Sequence, residues 1–346
     1  MLNIISRSIL FKNVSGPKKV VENLIKGLDK LGYPYVVNKR LDACKRLYIH
    51  DDRIAFLNIL KIDRNVKIIA GPNIFNFSRD IPNNIGISRI VYLQPFEWAK
   101  KFWEYSGFNR CPLDVWATGI DIDEFKPSNQ KKEFVLIYFK LRSNDELNYI
   151  EKTLQDKRIK YRIIKYNNYY EEGFKALLAK SRYIIWIGGA ESQGIALQET
   201  LAANVPILIW DVFNVGHWVT DKKTMSLFSK EENQYSQLTC AEYFDERCGL
   251  KVKNLNQISS AIDFLENNFL KFQPRKYILE NLSLGKKAKD LILLYEKHFG
   301  LSYEDGIKET LLRKGDWKNN KLYYIVYLKL KHFLRVLLAK SKRLLS

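Results

Sequence analysis

The chain has 346 residues, of which 46% are hydrophobic and 13% are aromatic. This composition excludes an intrinsically disordered chain, and the length predicts two domains because a single hydrophobic core rarely grows so large. The formal net charge of +19 indicates an anionic partner, and seven of the Lys and Arg residues stand in the acid-free segment 321–346.

The first part of the chain alternates between strand patterns and helix patterns. Residues 2–6, LNIIS, predict a strand, and apolar residues then recur at helical spacing from Val20 to Leu31. This helix pattern follows Ser15 and stops before Gly32, which are common signals for helix boundaries. The runs YPYVVN, RLYIH, VKIIAG and RIVYLQ predict further strands. Strands joined by helices at this spacing indicate a parallel sheet built from βαβ units.

The turn-rich segment GIDIDEFKPSNQKKE, residues 119–133, interrupts this pattern and predicts a domain boundary. The runs FVLIYFK, YRIIKY, YIIWIGG and PILIWD predict a second set of strands, with helices in EGFKALLAKS and GIALQETLAA. We therefore predict one doubly wound α/β domain at 1–126, another at 127–300 and a basic helical extension at 301–346. Two such domains place a ligand cleft between the carboxyl ends of their sheets.

The segment 321–346 predicts an amphipathic helix with its basic residues gathered on one side. Its longest uncharged run, 322–328, is far shorter than the roughly 20 residues that a membrane-spanning helix needs. We expect this helix either to lie on an anionic membrane surface or to pack on the domains. The first residues lack the pattern of a signal peptide, so we expect a cytoplasmic protein that can associate with the inner face of a membrane.

The segment ESQGIALQE carries two acids, Glu191 and Glu199, with seven residues between them. It joins the strand pattern YIIWIGG to a helix pattern that begins near Gly194. The backbone N–H groups and the positive end of this helix therefore face the predicted cleft, where they suit a diphosphate. Taken alone, two acids at this spacing indicate no more than a solvated acid in a loop and another on a helix surface.

With its flanking strand and helix, ESQGIALQE resembles the Glu-x7-Glu marker of retaining, nucleotide-sugar-dependent glycosyltransferases of GT-B architecture, family 4. The glycine loop of that family is similar to VSGPKKVVENLIKGL, and its inter-domain segment is similar to VWATGIDIDEFKP. The strand and helix before that segment are similar to RIVYLQPFEWAKKFWEYSGF. The resemblance covers about residues 1–299. It implies a GT-B fold, with two Rossmann-like doubly wound domains facing a central cleft.

The resemblance also implies an activity and its substrates. It implies transfer of a sugar, with retention, from a UDP- or GDP-linked donor to a hydroxyl group of a glycan or lipid-linked acceptor. It implies neither a metal nor another cofactor. Glu199 is expected to hold the ribose hydroxyls of the donor, and Glu191 the hydroxyls of the transferred sugar. The donor is further expected to contact the backbone of Gly194, Ile195 and Ala196.

The family has further donor contacts outside this segment. Gly16 in the glycine loop is expected to border the diphosphate from the first domain. A basic pair follows the first strand of the second domain in the family, and FKLRSND offers Lys140 and Arg142 at a shorter spacing. A leaving diphosphate needs cationic help, so we predict that Lys140 and Arg142 act with Glu191 as the catalytic set.

Polar residues at the strand ends of the first domain are candidates for the acceptor side of the cleft. His50 and Asp51 follow the run RLYI, and Asn73 follows the run VKIIA. His217, in FNVGHW, is a candidate for the donor side. His50, Asp51 and His217 are also compatible with purely structural roles.

Two alternative functions remain open at this point. A GT-B nucleotide-sugar epimerase would share the fold and the donor motif. A non-catalytic basic protein that binds a membrane or nucleic acid would explain the charge, but the chain has no nucleic-acid recognition motif, so we expect no nucleic-acid partner. A dinucleotide oxidoreductase is disfavoured because no Gly-x-Gly-x-x-Gly follows a predicted strand.

Overall fold

The fold was analysed in a computed structural model that describes residues 1–12, 15–83, 89–191, 193–217, 219 and 222–308. The segment 321–346 lies outside these residues, so its amphipathic helix and its membrane contact stay predictions. No helix of the described residues is long and apolar enough to cross a lipid bilayer.

The first half of the chain forms a sheet of six parallel strands, which are β1 Leu2–Ile5, β2 Tyr35–Val37, β3 Arg46–Ile49, β4 Lys67–Ala70, β5 Ile90–Gln94 and β6 Leu113–Val115. Its helices are α1 Gly16–Leu31, α2 Arg53–Leu57 and α3 Glu97–Tyr105. The strand order is β2-β1-β3-β4-β5-β6. Strands β1, β3 and β5 are buried along their whole length, as expected for a parallel sheet covered on both faces.

The second half forms a separate sheet of five parallel strands, which are β7 Phe134–Phe139, β8 Tyr161–Lys165, β9 Ser181–Ile187, β10 Ile207–Trp210 and β11 Gly249–Val252. Its order is β11-β10-β9-β7-β8. The helices that follow β7 are α4 Asn144–Asp156, α5 Glu171–Lys180, α6 Ile195–Ala202, α7 Lys222–Met225, α8 Lys230–Gln234, α9 Ile258–Asn268, α10 Pro274–Asn281, α11 Leu284–Phe299 and α12 Tyr303–Lys308. In both sheets the winding direction reverses beside the first strand, which is where such folds bind ligands.

Helix α1 begins and ends where the sequence predicts. The Ser15 hydroxyl accepts a hydrogen bond from the backbone N–H of Lys18, which satisfies one of the free donors of the first turn. Gly32 ends the helix with a φ of 61°, a left-handed conformation that favours glycine. These caps fix the position of Gly16 at the first turn of the helix, beside the cleft.

Helix α11 follows the second sheet in the chain but packs on α1, against the first sheet. A Cβ atom on Gly27 of α1 would lie 2.5 Å from the carbonyl oxygen of Leu284, so the two helices approach closely. The Trp116 indole N–H donates to the carbonyl oxygen of Lys287 at 2.7 Å. The helix α11 therefore completes the layer over the first sheet, although it lies within the predicted second domain, 127–300. The domain bounds stay a prediction.

Candidate functional site

A cavity of about 450 Å³, here named the cleft cavity, lies between the two halves of the chain. Its wall from the first half comes from the start of α1 and the loops after β4 and β5. Its wall from the second half comes from the ends of β7 and β9, the loop before α5 and the start of α6. It includes these predicted site residues: Gly16, Asn73, Lys140, Glu191, Gly194, Ile195, Ala196 and Glu199. The predicted residues His50, Asp51 and Arg142 are not among the described residues that line it.

The loop from β9 to α6 shapes one wall of the cleft cavity. A Cβ atom on Gly188 would lie 2.5 Å from the Nε1 atom of Trp186, so only glycine fits there without a shift. Gly194 has a φ of 69° and immediately precedes the first residue of α6. This conformation directs the positive end of α6 toward the cavity, which favours a bound anion. Across the cavity, the start of α1 at Gly16 presents a second helix N-terminus.

Glu191 and Lys140 form an ion pair inside the cleft cavity. The Lys140 ammonium lies 2.6 Å from the Oε2 atom of Glu191, and the Glu191 residue is only 4% exposed. The ammonium also lies 4.4 Å from the ring centre of Tyr166. The other carboxylate oxygen of Glu191, Oε1, has no hydrogen-bond partner among the described residues. A carboxylate oxygen has two acceptor positions, so Oε1 can accept hydrogen bonds from two ligand hydroxyl groups while Oε2 keeps Lys140.

Glu199 is paired with Lys19, a residue that the sequence analysis did not select. The Lys19 ammonium reaches from α1 to the Oε1 atom of Glu199 at 2.5 Å and to the Oε2 atom of Glu171 at 2.8 Å. Burial raises the pKa of Glu199 to about 7, although Lys19 acts in the opposite direction. Burial lowers the pKa of Lys19, but the two carboxylates outweigh it, and the net change is upward. We therefore take Lys19 as charged and Glu199 as exchanging its proton near neutral pH.

Aromatic side chains form the floor of the cleft cavity. The rings of Tyr138 and Trp186 are stacked, with centres 3.9 Å apart and planes 3° apart. The hydroxyl groups of Tyr138 and Tyr169 are 3.1 Å apart. Tyr166 and Tyr170, in the loop before α5, continue this aromatic surface to the mouth of the cavity. A planar base or the apolar face of a sugar can pack against such a surface.

The structure places Arg142 outside the lining of the cleft cavity. Its side chain is fully buried behind the loop that follows β9. The guanidinium group donates to the carbonyl oxygen of Gly188 at 3.0 Å and pairs with the carboxylate of Glu146. It also lies 3.1 Å from the Nε2 atom of His217, which is likewise outside the lining of the cleft cavity. Arg142 therefore holds the loop that follows β9 from behind.

The predicted acceptor-side residues separate into three different environments. Asp51 accepts hydrogen bonds from the backbone N–H groups of Arg7 and Ser8, at 2.7 and 2.9 Å, so it fixes a loop. His50 is fully buried, and burial lowers its pKa to about 4, which keeps its ring neutral. The Nε2 atom of His50 lies 3.0 Å from the Nδ2 atom of Asn73. Only Asn73 reaches the cavity, and His50 orients its amide group.

A second cavity of about 340 Å³, here named the side cavity, adjoins the cleft cavity. The two cavities share four lining residues: Pro72, Asn73, Pro95 and Glu191. A molecule in one cavity therefore lies next to a molecule in the other.

No group of three or more His, Cys, Asp or Glu side chains in the described part of the chain is placed to hold a metal ion.

No family model and no curated protein matches this sequence. Solved structures match its fold. Sucrose-phosphate synthase from Thermosynechococcus elongatus superposes with a TM-score of 0.55 at 11% identity, over 87% of this chain and 99% of that one. The catalytic domain of starch synthase IV from Arabidopsis thaliana, bound to ADP and acarbose, has a TM-score of 0.52 at 9% identity, over 89% and 99% of the two chains. The Anabaena protein HepE, in complex with UDP and glucose, has a TM-score of 0.50 at 10% identity, over 86% and 99%.

These likenesses establish the architecture of the described residues. The chain has the GT-B fold, in which two Rossmann-like, doubly wound α/β domains face a central cleft. This confirms the fold predicted from the sequence, apart from the C-terminal extension, most of which lies outside the described residues.

Proposed function

We propose that this protein is a glycosyltransferase that moves a sugar from a nucleotide-diphosphate sugar to a hydroxyl group of a glycan or lipid-linked acceptor. One observation carries the proposal: the cleft cavity gathers both acids of the Glu-x7-Glu segment, Lys140 and the starts of α1 and α6. The named neighbours support it, since one is a starch synthase domain bound to ADP and another is bound to UDP and glucose.

Each part of the donor has a partner of matching chemistry in this cavity. The diphosphate lies between the N-termini of α1 and α6 and near Lys140, where positive charge is concentrated. The ribose hydroxyls donate hydrogen bonds to the Glu199 carboxylate and take the place of Lys19 there. The transferred sugar donates a hydroxyl to Glu191, whose Oε1 atom lacks a partner among the described residues. The base packs on the tyrosines of the loop before α5.

The mechanism we propose is a front-face displacement with retention and without a metal. The bond between the anomeric carbon and the diphosphate oxygen breaks, and the acceptor oxygen bonds to the same face of that carbon. The acceptor proton passes to the departing phosphate oxygen. Negative charge grows on the leaving diphosphate, so Lys140 and the two helix N-termini stabilise the transition state more than the ground state. No side-chain nucleophile is required.

A panel of nucleotides tests the proposal directly. We expect UDP or GDP to raise the melting temperature of the full chain, because a ligand that binds only the folded state stabilises it. Incubation of the matching labelled nucleotide sugar with glycan and lipid-linked acceptors, with and without EDTA, then follows release of the nucleotide. Binding of no nucleotide in the panel would refute the proposal, and loss of transfer in EDTA would refute only its metal-independent form.

The side cavity favours transfer over epimerisation, because an epimerase needs no second substrate beside its nucleotide sugar. Analysis of the recovered nucleotide sugar distinguishes the two reactions. We expect no change in its sugar configuration when an acceptor is absent. An epimerised donor with its nucleotide still attached would replace the transferase proposal by the epimerase.

The basic segment 321–346 is proposed to hold the enzyme on an anionic membrane, where a lipid-linked acceptor would be found. Liposome flotation of the full chain and of a chain truncated after Gly300 tests this contact. We expect the truncated chain to lose its binding to anionic vesicles. Unchanged binding would assign the membrane contact to another part of the chain or to none.

A further inference from the structure

The side cavity has an aromatic wall contributed by both halves of the chain. Its aromatic lining residues are Phe75, Phe77, Trp98, Phe102, Trp103 and Phe228. The ring of Phe228, from the second half, packs edge-on against Phe77 and Phe102 at centroid distances of 5.3 and 6.4 Å. These contacts hold the wall in place, so the cavity is a formed pocket and not a gap between loose side chains.

The charges around the side cavity are unusual for such a basic chain. The formal net charge is +19, yet none of the described residues that line this cavity is a Lys or an Arg. The one charged residue in the lining is Glu191, whose negative charge is balanced by Lys140 on the side of the cleft cavity. A phosphorylated or otherwise anionic ligand would meet no cation here. The cavity therefore suits an uncharged molecule.

Three polar atoms in the wall of the side cavity have no hydrogen-bond partner among the described residues. They are the Nε2 atom of Gln94, the Nε1 atom of Trp98 and the Oε1 atom of Glu191, and all three are buried. Gln94 and Glu191 are 5% and 4% exposed. A buried polar atom without a partner costs free energy, and a ligand that supplies the partner removes that cost. Two donors and one acceptor suit a ligand that carries several hydroxyl groups.

We propose that the side cavity is the acceptor subsite and binds an uncharged sugar ring, with an apolar face against the aromatic wall and its hydroxyls on Gln94, Trp98 and Glu191. This inference rests on the proposed function and specifies its acceptor class. Because Glu191 and Asn73 line both cavities, a sugar ring here lies beside the anomeric carbon of a donor in the cleft cavity. A simple alkyl chain would leave the three polar atoms without partners.

Saturation-transfer NMR on the full chain tests the chemical class of the occupant. The probes are neutral methyl pyranosides of the gluco, galacto, manno and N-acetylglucosamine series, with glucose 6-phosphate and glucuronate as anionic comparators. Cyclohexanol serves as a ring of the same size without the hydroxyl pattern. We expect transfer to at least one neutral pyranoside, strongest at the protons of its apolar face, and little transfer to the anionic sugars or to cyclohexanol.

Two variants connect that signal to this cavity. We expect Trp98→Phe and Gln94→Leu each to weaken binding of the neutral pyranoside about five- to tenfold, the effect of one lost hydrogen bond. Neither removes a hydrogen-bond partner from another side chain, so both should keep the nucleotide affinity of the parent. Gln155→Leu makes the same change at an exposed position on α4 and should leave pyranoside binding unchanged.

The outcomes separate this inference from the proposed function. Nucleotide binding together with preferential binding of an anionic sugar or cyclohexanol overturns the acceptor class and leaves the transferase proposal standing. The same holds if nucleotide binds but no neutral pyranoside does, or if pyranoside binding is unaffected by both cavity variants. A chain that binds no nucleotide at all refutes the proposed function itself.

Discussion

Glu199 carries the most specific prediction about this site, because it is a buried carboxylate whose pKa burial raises to about 7. The folded chain therefore holds this proton more tightly than the unfolded chain does. The contribution of Glu199 to the free energy of unfolding is greatest below its ordinary value of 4.5 and is lost as the pH rises through about 7. The substitution Glu199→Gln keeps the shape of the side chain and removes the titration.

The magnitude follows from the pKa and from the pairing with Lys19. One pH unit corresponds to about 1.4 kcal/mol, so the rise from 4.5 to about 7 corresponds to about 3 kcal/mol. We expect the parent to lose roughly that amount, relative to Glu199→Gln, between about pH 4.5 and about pH 7. Lys19→Met removes the cation that opposes burial, so the pH midpoint of this loss should move upward.

Urea unfolding at a series of pH values measures this difference, since groups that titrate alike in parent and variant cancel. The same proteins are titrated with the nucleotide that stabilises the parent. We expect Glu199→Gln to weaken nucleotide binding about tenfold or more, because a carboxylate that accepts hydroxyl hydrogen bonds is lost. Parallel stability profiles for parent and Glu199→Gln would refute the buried-carboxylate reasoning. Unchanged nucleotide affinity would refute the ribose contact.

Three further substitutions test other parts of the molecule. Lys140→Ala should lower kcat about 100-fold through lost stabilisation of the diphosphate, whereas Lys152→Ala, at a largely exposed lysine, should leave steady-state kinetics unchanged. Arg142→Met should lower the free energy of unfolding in urea by about 3 kcal/mol or more, because it leaves the Glu146 carboxylate without its guanidinium partner. A variant that lost activity but kept full stability would contradict the positioning role of Arg142. Gly27→Ala should cost about 1–3 kcal/mol in the same assay because of its 2.5 Å approach to α11. Gly285→Ala, whose added Cβ meets nothing nearer than 3.8 Å, is the matched control and should be close to neutral.

The regular elements were predictable where the local chemistry is strong. Ser15 and Gly32 mark the ends of α1 because a hydroxyl cap and a left-handed glycine act within one turn. The strands β6 Leu113–Val115 and β11 Gly249–Val252 were not predicted, because their sequences, LDV and GLKV, contain no two consecutive apolar residues. In the structure β6 pairs with the longer strand β5, and β11 pairs with β10, whose four residues are all buried.

The sequence predicted that Glu191 and Glu199 lie at the cleft, but it did not predict Lys19 on the opposite wall. The segment from Glu191 to Glu199 lies on adjacent elements, so its placement at the cavity follows from the strand and helix patterns. Lys19 was missed because a lysine on an amphipathic helix is usually solvated. Its carboxylate partners, Glu171 and Glu199, belong to the other half of the chain and give no local pattern. The available signal for Lys19 was its position in the glycine loop, three residues after Gly16. The position of Arg142 behind the loop that follows β9 was not predicted, because burial behind a loop leaves no local sequence pattern.

The chain passes between the two halves twice, once before β7 and once on its return to the first sheet at α11. The two passages between the halves run side by side: the backbone N–H of Ile120 donates to the carbonyl oxygen of Leu282 at 2.8 Å, and Ile120 forms a parallel bridge with Ser283. The two halves are therefore joined along a hydrogen-bonded pair of segments, and a change in the angle between the halves would bend both segments together. A change in that angle would also alter the distance between Lys19 on α1 and Glu199 on α6, because these two residues belong to different halves.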